Sequence, residues 1–372
     1  MTRLLCVAVF LVTISLVSAC KHVGNKTTFN DRRCSQYGVD TAGCNAGGQG
    51  RNCRYCGFDS FPDCPTPPPA PLNDTFLLGT APKATTVRTS TPMAFVQRSP
   101  LYGIAYSPFR NSSSCSTVTD SMIDTDLDRL AAIADALRTY TMECEFGEKI
   151  VKKARERGLR LILGLRVTAD ETHFRLDRRA LDRLLLDRSD LSHIMAISVG
   201  NDAMARHYVS ETMLIEKIRD IRSLLHSYGY QIPVTTSDTY EKYNSYRVVE
   251  AVDVLLPNLR VFSSEISAEL SPRLVFDMMK RLKSWSAAAS KQFFVGETGW
   301  PSGGDLAASP QSSWSYLKRF HCQARDAALK YFYFEAFDAT WKQLGANNID
   351  SHWGLGTFDR HWKPGFLDAL RC

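Results

Sequence analysis

Residues 150–165 read Ile150-Val-Lys-Lys-Ala154-Arg-Glu-Arg-Gly158-Leu159-Arg-Leu-Ile-Leu-Gly-Leu165. The first half carries a helical period. Ile150, Val151 and Ala154 share one face, while Lys152, Lys153, Arg155 and Glu156 lie elsewhere on the wheel. Gly158 stands where a helix ends in the left-handed conformation. Leu159 to Leu165 then runs almost without a polar residue, as a strand covered on both faces does. Working outward, similar short apolar runs lie near 102–106, 136–140, 194–199, 232–236, 252–257, 292–296 and 331–336, with helical patterns in most intervals. Eight strand–helix repeats over residues 100–372 predict an α/β fold, a closed (β/α)8 TIM barrel. A doubly wound open sheet is the alternative, but no Gly-rich phosphate loop follows the first run.

The rest of the 372 residues is organised differently. Residues 65–99 open Pro65-Thr-Pro-Pro-Pro-Ala-Pro71 and continue rich in Thr, which predicts a semi-rigid linker. Residues 20–64 hold Cys20, Cys34, Cys44, Cys53, Cys56 and Cys64 but few aliphatics, so disulfides must staple this module. Its connectivity is open, and Cys53-x-x-Cys56 as a zinc site is the minor alternative in an oxidising compartment. Residues 1–19 read as a secretory signal peptide: Arg3, an apolar stretch from Leu4 to Val12, then Val17-Ser-Ala19 before the cleavage point. The apolar stretch is short for a membrane span. Its removal takes away Arg3 and Cys6, leaving a charge of +5 and ten cysteines, an even number that suits full pairing in an exported protein. No lipid-anchor tail is seen, so a soluble product, secreted to the extracellular space or a cell wall and without a membrane anchor, is expected. Asn25, Asn73 and Asn111 begin glycosylation sequons.

Apolar residues at 44% and charged residues at 23% exclude wholesale disorder. The net charge of +6 is spread without a Lys/Arg block, so no nucleic-acid partner is expected. Barrel chemistry belongs at the C-terminal ends of strands. Those ends carry Tyr106, Arg138 and Tyr140, then Asn201-Asp202, Asn258, Glu297-Thr-Gly-Trp300, and Phe334-Glu335-Ala-Phe-Asp338. Asp202 after the fourth run and Glu297 after the seventh would face one another across the barrel mouth. Paired carboxylates flanking a cleft suit glycosidic bond cleavage, one protonating the leaving oxygen and the other attacking the anomeric carbon or activating water. Tyr106, Tyr140, Trp300 and Trp341 suit the apolar faces of pyranose rings. There is no Gly-x-Ser-x-Gly elbow and no His-Glu-x-x-His helix, and the histidines lack metal spacing; neither cofactor nor metal is expected. Asp124-x-Asp126-x-Asp128 departs from a calcium loop at Arg129 and Asp135 and reads instead as an acidic helix N-terminus.

At Gly296-Glu297-Thr-Gly-Trp300-Pro-Ser302 the chain resembles glycoside hydrolase family 17, the β-1,3-glucanases. Gly103-Ile-Ala-Tyr106, Leu137-Arg-Thr-Tyr140, Val199-Gly-Asn201, Asn258, Phe334-Glu-Ala-Phe-Asp338 with Trp341-Lys342, and His352-Trp-Gly-Leu355 extend the resemblance over residues 100–372. It implies a retaining (β/α)8 enzyme that hydrolyses or transglycosylates β-1,3-glucan. Glu297 would be the nucleophile and Asp202 the acid/base. Asn201 would bind the sugar near its 2-hydroxyl, and Lys342 would belong to the supporting charge network. The chain departs from the family at three places. Asp202 replaces Glu, Ala339 replaces an acid, and Asp350 replaces the Glu before His-Trp-Gly-Leu. Asp is one methylene shorter, and a misplacement of about 1 Å can cost about 100-fold, so reduced activity is expected unless the backbone after the fourth run moves inward. A weakened β-glucan-binding or wall-structural protein is the alternative. The polymer is the expected partner of a monomeric protein. Cys115 and Cys144 follow adjacent strands, while Cys322 lies in the last long helix and Cys372 ends the chain; Cys115–Cys144 and Cys322–Cys372 are the expected disulfides.

Overall fold

The computed structural model describes residues 99–372 except 111, 263–264, 285–289 and 343–347. The expected signal peptide, cysteine-rich module, sequons and all but the last residue of the linker lie outside the described residues. Strands β1 (Ile104–Ala105), β2 (Ala136–Arg138), β3 (Arg160–Leu165), β4 (Ile194–Asn201), β5 (Val234–Ser237), β6 (Phe294–Thr298) and β7 (Lys330–Tyr333) form one parallel sheet in the order β5-β4-β3-β2-β1-β7-β6. Helices α1 (Asp120–Ala131), α2 (Phe146–Glu156), α3 (Glu171–Leu186), α4 (Glu211–Ser227), α5 (Tyr240–Tyr243), α6 (Tyr246–Ala251), α7 (Ser271–Lys283), α8 (Pro310–Asp326) and α9 (Phe366–Ala369) alternate with or follow them. The arrangement is α/β and TIM-barrel-like.

The deciding stretch folds as read. Ile150, Val151 and Ala154 are buried on α2, and Gly158 takes φ +68°. The Gly158 N–H bonds Arg155 O, and the Leu159 N–H reaches back to Ala154 O, which closes the helix before β3 starts.

The sixth expected strand, 252–257, appears as isolated bridges rather than a ladder. Leu255 bridges Phe293, and Asn258 bridges both Thr239 and Glu297. Asp253 N donates to Val234 O at 2.9 Å and Gly296 N to Pro257 O at 2.7 Å, so the segment lies between the edge strands β5 and β6. Pro257 has no N–H to give, which interrupts pairing there. The seventh and eighth runs are therefore β6 and β7.

The acids of α1 are not an N-terminal cluster. Asp124 pairs with Lys153 and Arg157, Asp128 with Arg157 at 2.7 Å, and buried Asp126 with Arg110 and Arg360. They dock α1 onto α2 and onto the C-terminal turn, which supersedes the dipole reading. Cys115–Cys144 and Cys322–Cys372 are bonded, with Cα separations of 5.4 and 5.6 Å.

Candidate active site

The end of β4 is bent. Its pairing with β5 shifts register between Ser198 and Asn201, Gly200 has φ +81°, and Asp202 has φ +52°. A bulge at a barrel rim re-aims side chains, and here it turns Asn201 and Asp202 toward the barrel axis. Asp202 N donates to Ser237 O at 3.0 Å. Asp238 fixes the loop that follows, accepting from the N–H groups of Met204 (2.8 Å), Ala205 (3.2 Å) and Thr239 (2.9 Å).

Across the mouth, β6 delivers Glu297. Its neighbour Gly296 is packed so closely that a Cβ would lie 2.6 Å from Leu256 O and 2.9 Å from Asn258 Oδ1. Arg138 donates to Gly296 O at 2.6 Å.

Asn258 joins the two sides. Its Oδ1 accepts from Arg138 (2.9 Å) and Ser237 (2.6 Å); its Nδ2 donates to Asn201 (2.9 Å) and to Asp202 Oδ1 (2.7 Å). All four amide valences are used, so the side chain cannot turn. Glu297 Oε1 accepts from Tyr140 Oη at 2.9 Å and lies 3.3 Å from an Arg138 guanidinium nitrogen. Arg138 also donates to Asn201 Oδ1 at 2.6 Å.

The remaining oxygens meet at a residue the strand-end reading did not list. Arg260 lies 2.5 Å from Asp202 Oδ2 and 3.1 Å from Glu297 Oε2. Both carboxylates are almost wholly buried, whereas the Arg260 side chain is 26% exposed. Burial opposes the Arg260 charge, but the Glu297 and Asp202 carboxylates outweigh it and raise its pKa above the ordinary value. Burial and the charge of Glu297 push the Tyr140 phenol well above its usual range.

A third buried carboxylate, Glu335 at the end of β7, pairs with Lys342 at 2.7 Å. Burial raises its pKa, Lys342 opposes the rise, and Glu297 adds to it. Ala339 is buried and brings no acid, so Lys342 finds its partner in Glu335.

Arg138, Tyr140, Asn201, Asp202, Asn258 and Glu297 thus form one network, which Lys342 adjoins through Glu335. The other expected residues do not join it. Tyr106 is buried and donates from its hydroxyl to Asp126 at 2.9 Å, toward α1, so it offers no sugar face. Trp300 is also buried, stacked on Tyr316 at 5.7 Å, with Phe262 edge-on at 4.8 Å; it backs the wall and does not line the opening. The alternating sides of a strand end explain both reversals. Trp341 is half-buried edge-on against Phe109 at 5.4 Å. Asp350 is exposed on the turn Ile349–Ser351, outside the carboxylate network. Among the described residues, no group of three His, Cys, Asp or Glu is placed to hold a metal ion.

This geometry can bring two carboxylates to bear on one bond at the mouth of a barrel. The family model of the BtgE/BtgC glycoside hydrolase domain matches residues 103–354. Over 266 residues the chain is 26% identical to the probable glucan endo-1,3-beta-glucosidase btgC of Aspergillus fumigatus, covering 64% of this chain and 38% of that relative's length. It is 28% identical over 277 residues to a glucan 1,3-beta-glucosidase of Arthroderma benhamiae, covering 69% of this chain and 86% of the relative. Among solved structures, a glycoside hydrolase family 17 beta-1,3-glucanosyltransferase from Rhizomucor miehei superposes with a TM-score of 0.62 at 25% identity, over 72% of this chain and 96% of that one.

Proposed function

The chain belongs to the BtgE/BtgC glycoside hydrolase domain family, and on that premise we propose that it is a secreted retaining glycosidase acting on β-1,3-glucan. Glu297 is the nucleophile and Asp202 the acid/base. Asp202 gives its proton to the glycosidic oxygen while Glu297 attacks the anomeric carbon; the C1–O bond breaks and an ester to Glu297 forms. Asp202, now a carboxylate, takes a proton from water, whose oxygen displaces Glu297 and restores both groups. A sugar hydroxyl in place of water gives transglycosylation.

The observation that carries this reading is the meeting of two buried carboxylates from β4 and β6 at one guanidinium. The similar proteins supply the linkage: a probable glucan endo-1,3-beta-glucosidase, a glucan 1,3-beta-glucosidase and a beta-1,3-glucanosyltransferase.

In this reading Tyr140 and Asn201 contact the sugar in the subsite beside Glu297, while Asn258, its amide fully used, holds Asn201 and Asp202 in place. In the same reading residues 1–19 are removed on export and residues 100–372 close into a barrel. The mature protein is a monomer, outside the cell or in its wall. No described helix is long and apolar enough to cross a membrane.

Product analysis on laminarin tests the proposal. Released oligosaccharides support hydrolysis and longer chains support transfer. Binding without turnover supports a second reading, a β-glucan-binding wall protein, which the short acid Asp202 and the grip of Arg260 on both carboxylates favour.

A further inference from the structure

Each carboxylate of the pair has one oxygen committed elsewhere. Asp202 Oδ1 accepts from Asn258, and Glu297 Oε1 accepts from Tyr140 with Arg138 beside it. Only Asp202 Oδ2 and Glu297 Oε2 are left to face a sugar, and both lie against Arg260: Asp202 Oδ2 accepts its hydrogen bond at 2.5 Å, and Glu297 Oε2 is an ion-pair partner at 3.1 Å without an aligned hydrogen bond. Retaining chemistry needs both of them, one to form the bond to the anomeric carbon and one to pass a proton to the leaving oxygen. The guanidinium therefore stands where the scissile linkage must lie.

We propose that Arg260 is a positioning residue that braces Asp202 against Glu297 and is displaced by the incoming glucan. The inference rests on these two carboxylates being the reacting pair. Arg260 is the exposed member of the cluster and its partners are the buried ones, so it covers them from the solvent side. Its charge, together with that of Arg138 beside Glu297, keeps two carboxylates tolerable at one buried locus, since an unpaired buried charge is costly. It also lies over the Phe334 ring, with the guanidinium carbon 5.3 Å from the centroid, an aromatic face on which a guanidinium can rest once it leaves the pair. Lys342, paired with Glu335, lies over the same ring at 4.8 Å from the centroid.

A brace that must open taxes substrate binding by the fraction of time it is closed. Calorimetric titration with laminaritriose reads that tax independently of turnover. Arg260→Gln should bind laminaritriose about tenfold more tightly than the natural protein. Arg260→Lys keeps the charge but cannot fork to two carboxyls. It should shift affinity in the same direction by less, and it carries the test if Arg260→Gln does not fold. Carbodiimide labelling followed by peptide mass spectrometry needs no sugar: the peptides with Asp202 and Glu297 should label faster in either variant. Unchanged or weaker laminaritriose binding in both variants, with the natural enzyme binding and cutting glucan normally, overturns the brace and leaves the glycosidase standing. Failure of all three proteins to bind laminaritriose overturns the glycosidase reading and the displacement with it. Tight binding by a variant where the natural protein binds none supports the brace in its closed form.

Discussion

Asp202 occupies the left-handed backbone region, at φ +52°. Asp and Asn enter that region more readily than longer side chains, because a short polar side chain can satisfy itself locally. Asp202 is therefore matched to the bend that delivers it. Asp202→Glu sets two effects against each other. The longer side chain restores reach, while the backbone should cost about 1 kcal/mol. Turnover on laminarin should rise and the thermal midpoint should fall; a drop in turnover would show that the bend already supplies the reach. Asp202→Asn removes the proton donor and should cost about 10²–10⁴ in rate on laminarin, while an aryl glucoside with a good leaving group is still attacked. Glu297→Gln should abolish both activities, measured side by side. Glu297 and Asp202 were legible as residue types at strand ends. Arg260 was not. It lies two residues past Asn258, and only the fold brings it between two carboxylates from other strands. The burial of Tyr106 and Trp300 was equally hidden, because aromatic identity does not say which side of a strand end is open.

At the level of elements, the apolar runs and the Gly158 stop placed α2, β3 and most of the sheet. The segment 252–257 folds short of a strand because Pro257 breaks its pairing. Asp238, which holds the loop after Asp202, stands at the end of β5; applying the strand-end rule to the fifth run as well would have listed it. β6 approaches its neighbouring segment so closely that Gly296 has no substitute. In Gly296→Ala the new methyl would meet Leu256 O at 2.6 Å and the Ser237 and Asn258 oxygens at 2.9 Å. The first of these is backbone and cannot turn away. Overpacking of this kind should cost about 1–3 kcal/mol and move Glu297, so urea unfolding should shift to a lower midpoint and kcat should fall with it. An unshifted midpoint would mean that β6 can back away.

Across the whole molecule, several buried acids bind protons more tightly in the folded state than in the unfolded one. Burial raises Asp177 from the usual carboxylate range to about 7, even though the N–H groups of Arg166 and Met142 and the hydroxyl of Thr141 oppose the rise. Burial also raises Asp238, Glu335 and Asp338. Groups raised in this way stabilise the fold fully below their unfolded values near 4, and that contribution is lost as pH climbs through the folded values. His193 and His321, kept neutral by burial, work the other way below about pH 6.5, but they are outnumbered. The thermal midpoint should therefore be higher at pH 5 than at pH 7.5, and Asp177→Asn should flatten the difference; a midpoint that rises toward neutrality would contradict this. Cys322–Cys372 closes a sequence separation of 50 residues and ties the chain end to α8. Its removal by Cys322→Ala with Cys372→Ala should cost about 4 kcal/mol by loop entropy, read from denaturant midpoints. The two-carboxylate assignment is tested most directly by trapping the glycosyl-enzyme with a 2-deoxy-2-fluoro-β-laminaribiosyl fluoride and mapping the labelled peptide by mass spectrometry. The account predicts one added laminaribiosyl unit on Glu297, lost again when a sugar acceptor is supplied. Turnover of laminarin with no adduct on Glu297, or with the label on Asp202, would contradict it.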